Sequence, residues 1–432
     1  MKRTAMILAA ATLAALLVLS ATPVSAQKTM KIGFVAFLTG AAGGPFGIPA
    51  RNGAEVIIDA INKGKLPAPY NTKGIGGAQV EAVYIDESGG TSKQVEEYRN
   101  LVQRQNVDAV VGYISSGSCL AIAPIADELK MLTVFNICGT PRIFEAASYK
   151  YVFRTKAHST MDNVAAAHFV KSRFPNTKTY GGINQNYAWG QDSWRDFNLS
   201  MQLLMPGTKV TTEQFPKLFA GTYSSEISAL QRSRSDVIHS SFWDGDLESF
   251  VNQSAARGLN KKSTIIYTAG ENSMFRLGRR LPDGTIMGAR GPYGLYAHDT
   301  ELNRWFRAAY QNAYGTPAVY PSYDSAQALL GLKIAYDKTA GQMGGKFPTR
   351  EQVIPNFEGL KYESFGTTVD MKLGKGHQAV TETAYGIYKF DKEKGEATIT
   401  DIVRFAPDCV NPPEGVTSED WIKGGMKGAK CN

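Results

Sequence analysis

From Lys31 onward, short apolar and β-branched runs alternate with stretches whose apolar residues recur at helical spacing. "KIGFVAFL" (31–38) precedes "ARNGAEVIIDAINKG", where Ala54, Ile57, Ile58 and Ile61 share one helical face. "QVEAVYID" precedes "SKQVEEYRNLVQRQ", "DAVVGY" precedes "CLAIAPIADELK", and "MLTVFN" follows. This repeated strand-then-helix order predicts a mostly parallel, doubly wound sheet. A second series starts near "YVFRTKAHST" and continues through "TYGGINQN", "KVTTEQF", "DVIHSSFW" and "STIIYT", with helical segments between them. Two α/β units in tandem are therefore expected. After "GTIMGARGPYG" the pattern turns helical as far as "REQVIPNFEGL", before the late strands "ETAYGIYKF" and "ATITDIVRF". From Ala406 to the end the chain is rich in Pro, Gly and Lys and reads as a tail.

The N-terminus adds a destination to this pattern. Lys2 and Arg3 precede the apolar "AMILAAATLAALLVLS", and Val24-Ser25-Ala26 has the small-x-small form of a signal-peptidase site. A cleaved export signal over residues 1–26 is expected, with a periplasmic mature chain from Gln27. No cysteine follows the site, which argues against a lipoprotein. About 400 mature residues suffice for two ordinary domains. Without Lys2 and Arg3, 45 basic residues stand against 39 acidic, a mild excess that is scattered and gives no footprint for nucleic acid. No second apolar run is long enough to span a bilayer.

Cys119, Cys138, Cys409 and Cys431 make an even set in an exported chain, and their order suggests links 119–138 and 409–431. Metal ligation is the rival reading. It is disfavoured because no C-x-x-C spacing occurs and His158, His168, His239, His298 and His377 lie far apart. No cofactor is implied.

Candidate chemistry sits in loops after strands, where helix N-termini of an open parallel sheet offer backbone N–H groups. In "VVGYISSGS", Ser115, Ser116 and Gly117 occupy that place. A Walker loop needs a following Gly-Lys-Ser/Thr, and a nucleophile elbow needs G-x-S-x-G; neither is present. What remains is non-covalent anion binding or a plain helix cap. The adjacent strand ends in Cys138-Gly139-Thr140, and the first strand in a Gly-rich turn carrying Phe46. That turn matches a dinucleotide fingerprint only loosely. In the second unit the strand ends carry Tyr187 and Trp189, Phe242 and Trp243, and then Glu271, an isolated carboxylate among aromatic residues that suits an ammonium. No nucleophile, base and orienting acid can be assigned, so a secreted α/β hydrolase is the distant alternative and a non-enzyme the expectation.

The order and spacing of "IGFVAFLTG", "GIGGAQVEAVYIDESG", "VVGYISSGS", "CGTPRIFE", "FRTKAHST", "NYAWGQD" and "YPSYDSAQALLGLKIAYDKTAG" resemble the periplasmic branched-chain amino acid binding proteins, the solute receptors of ATP-driven (ABC) importers. The resemblance implies an α/β, type I periplasmic binding protein fold: two doubly wound parallel-sheet lobes joined by a three-crossing hinge. Lobe 1 would comprise 27–154 and 290–366, lobe 2 155–289 and 367–405, and 406–432 a disulfide-stapled tail. The crossings would lie near Arg154–Lys156, Ala289–Gly291 and Phe365–Thr368. It further implies that Ser116 and Cys138 to Thr140 hold a ligand carboxylate, that Phe46, Trp189 and Phe242 or Trp243 wall the pocket, and that Glu271 holds an α-ammonium; the strand-end reading adds Ser115 and Tyr187 to these groups. The implied function is capture of a small carboxylate by lobe closure and delivery to a membrane permease. The carboxylate would be a hydrophobic amino acid, branched-chain or aromatic. Trp189 and Trp243 stand where smaller tyrosines are common in that family, which makes aromatic carboxylates or amides lacking an amine the second reading.

Overall fold

A computed structural model describes residues 28–431; the export-signal expectation lies outside these residues. The strands are β1 (Thr29–Ala36), β2 (Gln79–Asp86), β3 (Ala109–Gly112), β4 (Thr133–Phe135), β5 (Val152–Arg154), β6 (Thr179–Ile183), β7 (Lys209–Gln214) and β8 (Val237–Ser240). They continue as β9 (Thr264–Tyr267), β10 (Ile286–Gly288), β11 (Lys361–Glu363), β12 (Thr368–Leu373), β13 (Gln378–Val380), β14 (Thr383–Asp391) and β15 (Glu396–Phe405). One sheet has the order β11-β12-β13-β5-β4-β3-β1-β2 and the other β15-β14-β10-β9-β8-β6-β7. Pairing is parallel from β2 to β13 in the first and from β7 to β10 in the second, with antiparallel strands added at one edge of each. Helices cover both faces. This burial explains why β3 and β4 read as unbroken apolar or small-residue runs rather than alternating ones.

Two helices carry most of the first lobe. Ile48–Lys63 buries Ala54, Ile57, Ile58 and Ile61 and stops at Gly64, whose left-handed φ of 64° closes it. The 23-residue helix Tyr320–Gln342 is buried on nearly every side. It packs on the first helix and against β3 and β4.

The third crossing between the lobes differs from the expected one. Residues 367–380 belong to the first sheet: Gln378 pairs with Arg154 of β5, and the Arg154 N–H donates to the His377 carbonyl at 2.8 Å. The chain passes to the second sheet only at Thr381–Glu382, between β13 and β14. The short β11 and β13 gain their strand character from these partners, not from their own pattern.

The crossings at 154–156 and 289–291 are bonded to each other and to β13 inside the protein. Arg154 donates from Nε to Gln378 Oε1 at 2.6 Å, and Gln378 Nε2 donates to the Lys156 carbonyl at 2.8 Å. Lys156 Nζ donates to the Arg290 carbonyl and, at 2.9 Å, to Asp324 Oδ1. Arg290 donates from Nε to Asp162 Oδ2 at 3.0 Å. Burial pushes Asp324 up and Lys156 down, and the charge of each partner opposes that shift in the other.

The tail is a packed strap. Cys409, Val410, Trp421 and Ile422 join the core formed by helices Ser159–Arg173 and Ala188–Leu204 of the second lobe. The same segment reaches the first lobe through Asp408 to Lys372 (2.7 Å), Glu414 to the Lys375 N–H (2.9 Å) and Ser418 to Glu145. Cys409–Cys431 and Cys119–Cys138 are both disulfides.

Removing one partner of a buried ion pair leaves an uncompensated charge. Asp324→Ala should therefore lower the unfolding free energy by about 3–5 kcal/mol, measured by urea unfolding at pH 7. A loss below about 1 kcal/mol, the range of exposed pairs, would show that the hinge network adds little.

Candidate functional site

The carboxyl ends of the parallel strands in both sheets converge on one cleft, the usual ligand position in open α/β sheets. The first lobe contributes the loops after β1, β3 and β4, and the second those after β6, β8, β9 and β10. Between them lies a cavity of about 10 Å³, room for roughly one water molecule. Five aromatic side chains wall it: Phe46, Tyr187, Trp189, Trp243 and Tyr320. Phe46 stands edge-on to Trp243 (centroids 5.0 Å apart) and to Tyr320 (5.3 Å). The indole N–H groups are spent on fixing the rings: Trp189 donates to the Ser241 carbonyl at 2.8 Å and Trp243 to the Tyr187 hydroxyl at 2.9 Å.

The polar lining is sparse and cationic. Arg290 follows β10, and its guanidinium lies over the Trp189 ring at 4.3 Å. Nε is held by Asp162 and Nη1 donates to the Ile137 carbonyl at 2.7 Å, whereas the buried Nη2 has no partner among the described residues. Burial opposes its charge, but Asp162 and the more distant Asp324 outweigh burial and keep it cationic. Ser116 Oγ completes the lining and accepts the Gly139 and Thr140 N–H groups at 3.2 and 3.1 Å.

Direct bonds between the lobes surround the cavity. Gly245 N–H donates to the Ala41 carbonyl at 3.2 Å, and Asn272 Nδ2 to the Pro45 carbonyl at 3.1 Å. Thr140 Oγ1 donates to Asp192 at 2.6 Å, and Arg142 pairs with the same carboxylate at 2.6 Å. The two lobes are thus shut on each other.

A family model described as periplasmic binding protein matches residues 29–395. The chain belongs to the periplasmic binding protein family. A search of curated protein sequences gives no match. Among solved structures, the solute-binding protein of an ABC transporter from Rhodopseudomonas palustris BisB5, in complex with 3,4-dihydroxybenzoic acid, is 19% identical. The alignment covers 88% of this chain and 98% of that one, with a TM-score of 0.75. A second R. palustris solute-binding protein, in complex with 4-hydroxybenzoate, is also 19% identical over 88% and 98%, with a TM-score of 0.74. A leucine-binding protein from Thermotoga maritima is 18% identical over 87% and 98%, with a TM-score of 0.69. These likenesses are of fold, and the fold is the type I periplasmic binding protein fold.

In this periplasmic binding protein the structure brings together Phe46, Ser116, Gly139, Tyr187, Trp189 and Trp243. It sends the others elsewhere. Phe242 packs in the core against Tyr223 (5.0 Å) and Phe250 (5.5 Å), so of the two adjacent aromatics Trp243 faces the cleft. Ser115 gives its N–H to Glu87 Oε1 at 2.9 Å, and Ile114 gives its own to Oε2 at 2.7 Å. The N–H cradle of the loop after β3 is filled by a carboxyl of the protein itself, which burial pushes up to about 8 and keeps mostly uncharged at neutral pH. Cys138 is committed to its disulfide and the Thr140 hydroxyl to Asp192. Glu271 is turned from the cavity: Oε2 accepts the Tyr320 N–H at 2.8 Å, and Oε1 lies against Gly294 without a partner among the described residues. Burial pushes it up to about 8, so at neutral pH it is mostly uncharged.

Arg290 and Tyr320 were not anticipated in the site. The one available cue was a lone arginine after the apolar "TIMGA", within a segment expected to be hinge.

Gly139 marks how tightly the cleft shuts. A Cβ there would lie 2.4 Å from Trp189 Cζ3 and 2.6 Å from Arg290 Nη2, neither of which is free to swing away. Gly139→Ala should fold normally yet resist closure, weakening ligand binding about tenfold or more. Solution scattering with ligand should show a larger radius of gyration than the parent; an equal radius and equal affinity would contradict the packing described.

Proposed function

We propose that this protein is a non-enzymatic periplasmic receptor, exported by a signal cleaved after Ala26, that captures a small aromatic carboxylate lacking an amine. Closure of the lobes presents the ligand to the membrane permease of an ABC importer. The observation that carries this reading is the unpartnered Nη2 of Arg290 on an aromatic-walled cavity, together with a neutral Glu271 engaged with a helix backbone. A buried guanidinium is a strong partner for a carboxylate, and flat rings favour a flat ligand. The benzoates held by the two R. palustris relatives are of that class. The second reading, a hydrophobic amino acid, is supported by the free Oε1 of Glu271. It requires that carboxyl to ionise and turn toward an ammonium.

The buried Glu271 carboxyl, bonded to the Tyr320 N–H, also sets a pH dependence. Its folded value of about 8 exceeds the ordinary glutamate value of 4.5, so between those limits the folded chain binds the extra proton. The stabilisation it gives is complete below about pH 4.5 and is lost as pH rises through about 8. Urea midpoints of the parent should fall more steeply from pH 5 to 8.5 than those of Glu271→Gln. Parallel slopes would remove the buried neutral carboxyl from the account.

Calorimetry with benzoate, 4-hydroxybenzoate, leucine and phenylalanine separates the two ligand classes. Benzoates should bind the parent and Glu271→Gln about equally, and Arg290→Gln should weaken them by about 1.5–3 kcal/mol, the worth of a hydrogen bond to a charged group. Tight binding of leucine or phenylalanine, abolished by Glu271→Gln, would establish the amino acid instead.

A further inference from the structure

The histidines are scattered along the sequence, yet the fold carries one of them to the clip that fastens the strap. His168 lies on helix Ser159–Arg173, with its Nε2 3.7 Å from Cys431 Sγ. A ring nitrogen of His168 and the sulfurs of Cys409 and Cys431 all lie within 4.8 Å of one another. A tetrahedral zinc ion, with Zn–S near 2.3 Å and Zn–N near 2.1 Å, requires ligand-to-ligand edges of about 3.6 Å. The edge between His168 and Cys431 already has that length. Opening the S–S bond lets the two sulfurs move from bonding distance to the same spacing. Burial is graded across the cluster: Cys409 is buried, His168 half-buried and Cys431 exposed. The site thus has a closed back and an open front, where water supplies a fourth ligand.

We propose that the opened clip, Cys409, Cys431 and His168, binds one thiophilic d10 cation such as zinc(II), so that the strap is fastened by either a disulfide or a metal. A dithiol or phosphine reductant donates two electrons, and two protons, given up by the dithiol or by the water consumed with the phosphine, complete the conversion of the disulfide to two thiols. The dithiol is itself oxidised to a disulfide, or the phosphine to its oxide with oxygen from water. On metal binding the two thiols release their protons to solvent, and the neutral imidazole gives a nitrogen lone pair. Thiolate and imidazole ligands select zinc or copper(I) over calcium or magnesium. The other pair is withheld from mild reduction, since Cys119 and Cys138 are both 0% exposed.

The test uses the whole mature protein, reduced under native conditions with a water-soluble phosphine, freed of reagent and titrated with zinc(II) against a chromophoric chelator. One zinc per chain is expected for the reduced protein and none for the oxidised one. Reduced His168→Ala should bind about tenfold more weakly or worse, having lost one of three protein ligands. Cys431→Ser, at an exposed position, should lose tight binding. Cobalt(II) in place of zinc should give thiolate charge-transfer absorption and the visible bands of a tetrahedral ion. Equal binding by oxidised and reduced protein, no binding by either, or reduced His168→Ala matching the parent would each overturn the proposal. All of these readouts are independent of the ligand cleft.

Discussion

The buried charge network at the hinge is the constraint on which the other features depend. Lys156, Asp324, Arg290 and Asp162 are each at most 4% exposed and come from two crossings and from a helix of each lobe. Taking such groups out of water costs several kcal/mol each, repaid only when every partner is in place. A motion that separated them would forfeit that compensation. Closure of the lobes must therefore pivot around an intact knot and take up its φ/ψ changes outside it. Arg290 belongs both to this knot and to the cavity lining. Its Nε and Nη1 are fixed by Asp162 and Ile137, so the remaining Nη2 is aimed without any freedom of its own. A ligand carboxylate would meet a preorganised donor and lose little entropy in ordering it.

Much of this architecture was legible in the chain. Central strands such as β1, β3 and β9 announce themselves because a strand covered on both faces is largely apolar, and the helices between them because one face must be. The short strands β11 and β13 are three residues each, "KYE" and "QAV", too short for any period to register. Their place is dictated by pairing with β12 and β5, which is why the third crossing fell fifteen or so residues later than its sequence position suggested.

The site divides in the same way. Loops after strands were visible, as was the aromatic bias of the second lobe. The occupant of the N–H cradle at Ile114 and Ser115 was not, because Glu87 reaches it from 27 and 28 residues away. Nor could sequence show that Asp162, 128 residues from Arg290, leaves one guanidinium nitrogen free. Choosing between Phe242 and Trp243 required only the direction of one turn, which adjacency in sequence cannot supply.

The strap alters how far the molecule can travel. Its helix Ser418–Lys423 is embedded in the second lobe, while Asp408, Glu414 and Ser418 hold points on the first. Receptors joined by hinge segments alone can swing through whatever arc the crossings allow. Here a fourth connection spans the pivot, fastened at its end by a covalent link. Such a strap would act as a check on the stroke, limiting how far the lobes can gape before Asp408, Glu414 and Ser418 must let go. A membrane partner that distinguishes full from empty receptors would then be reading a small change in angle.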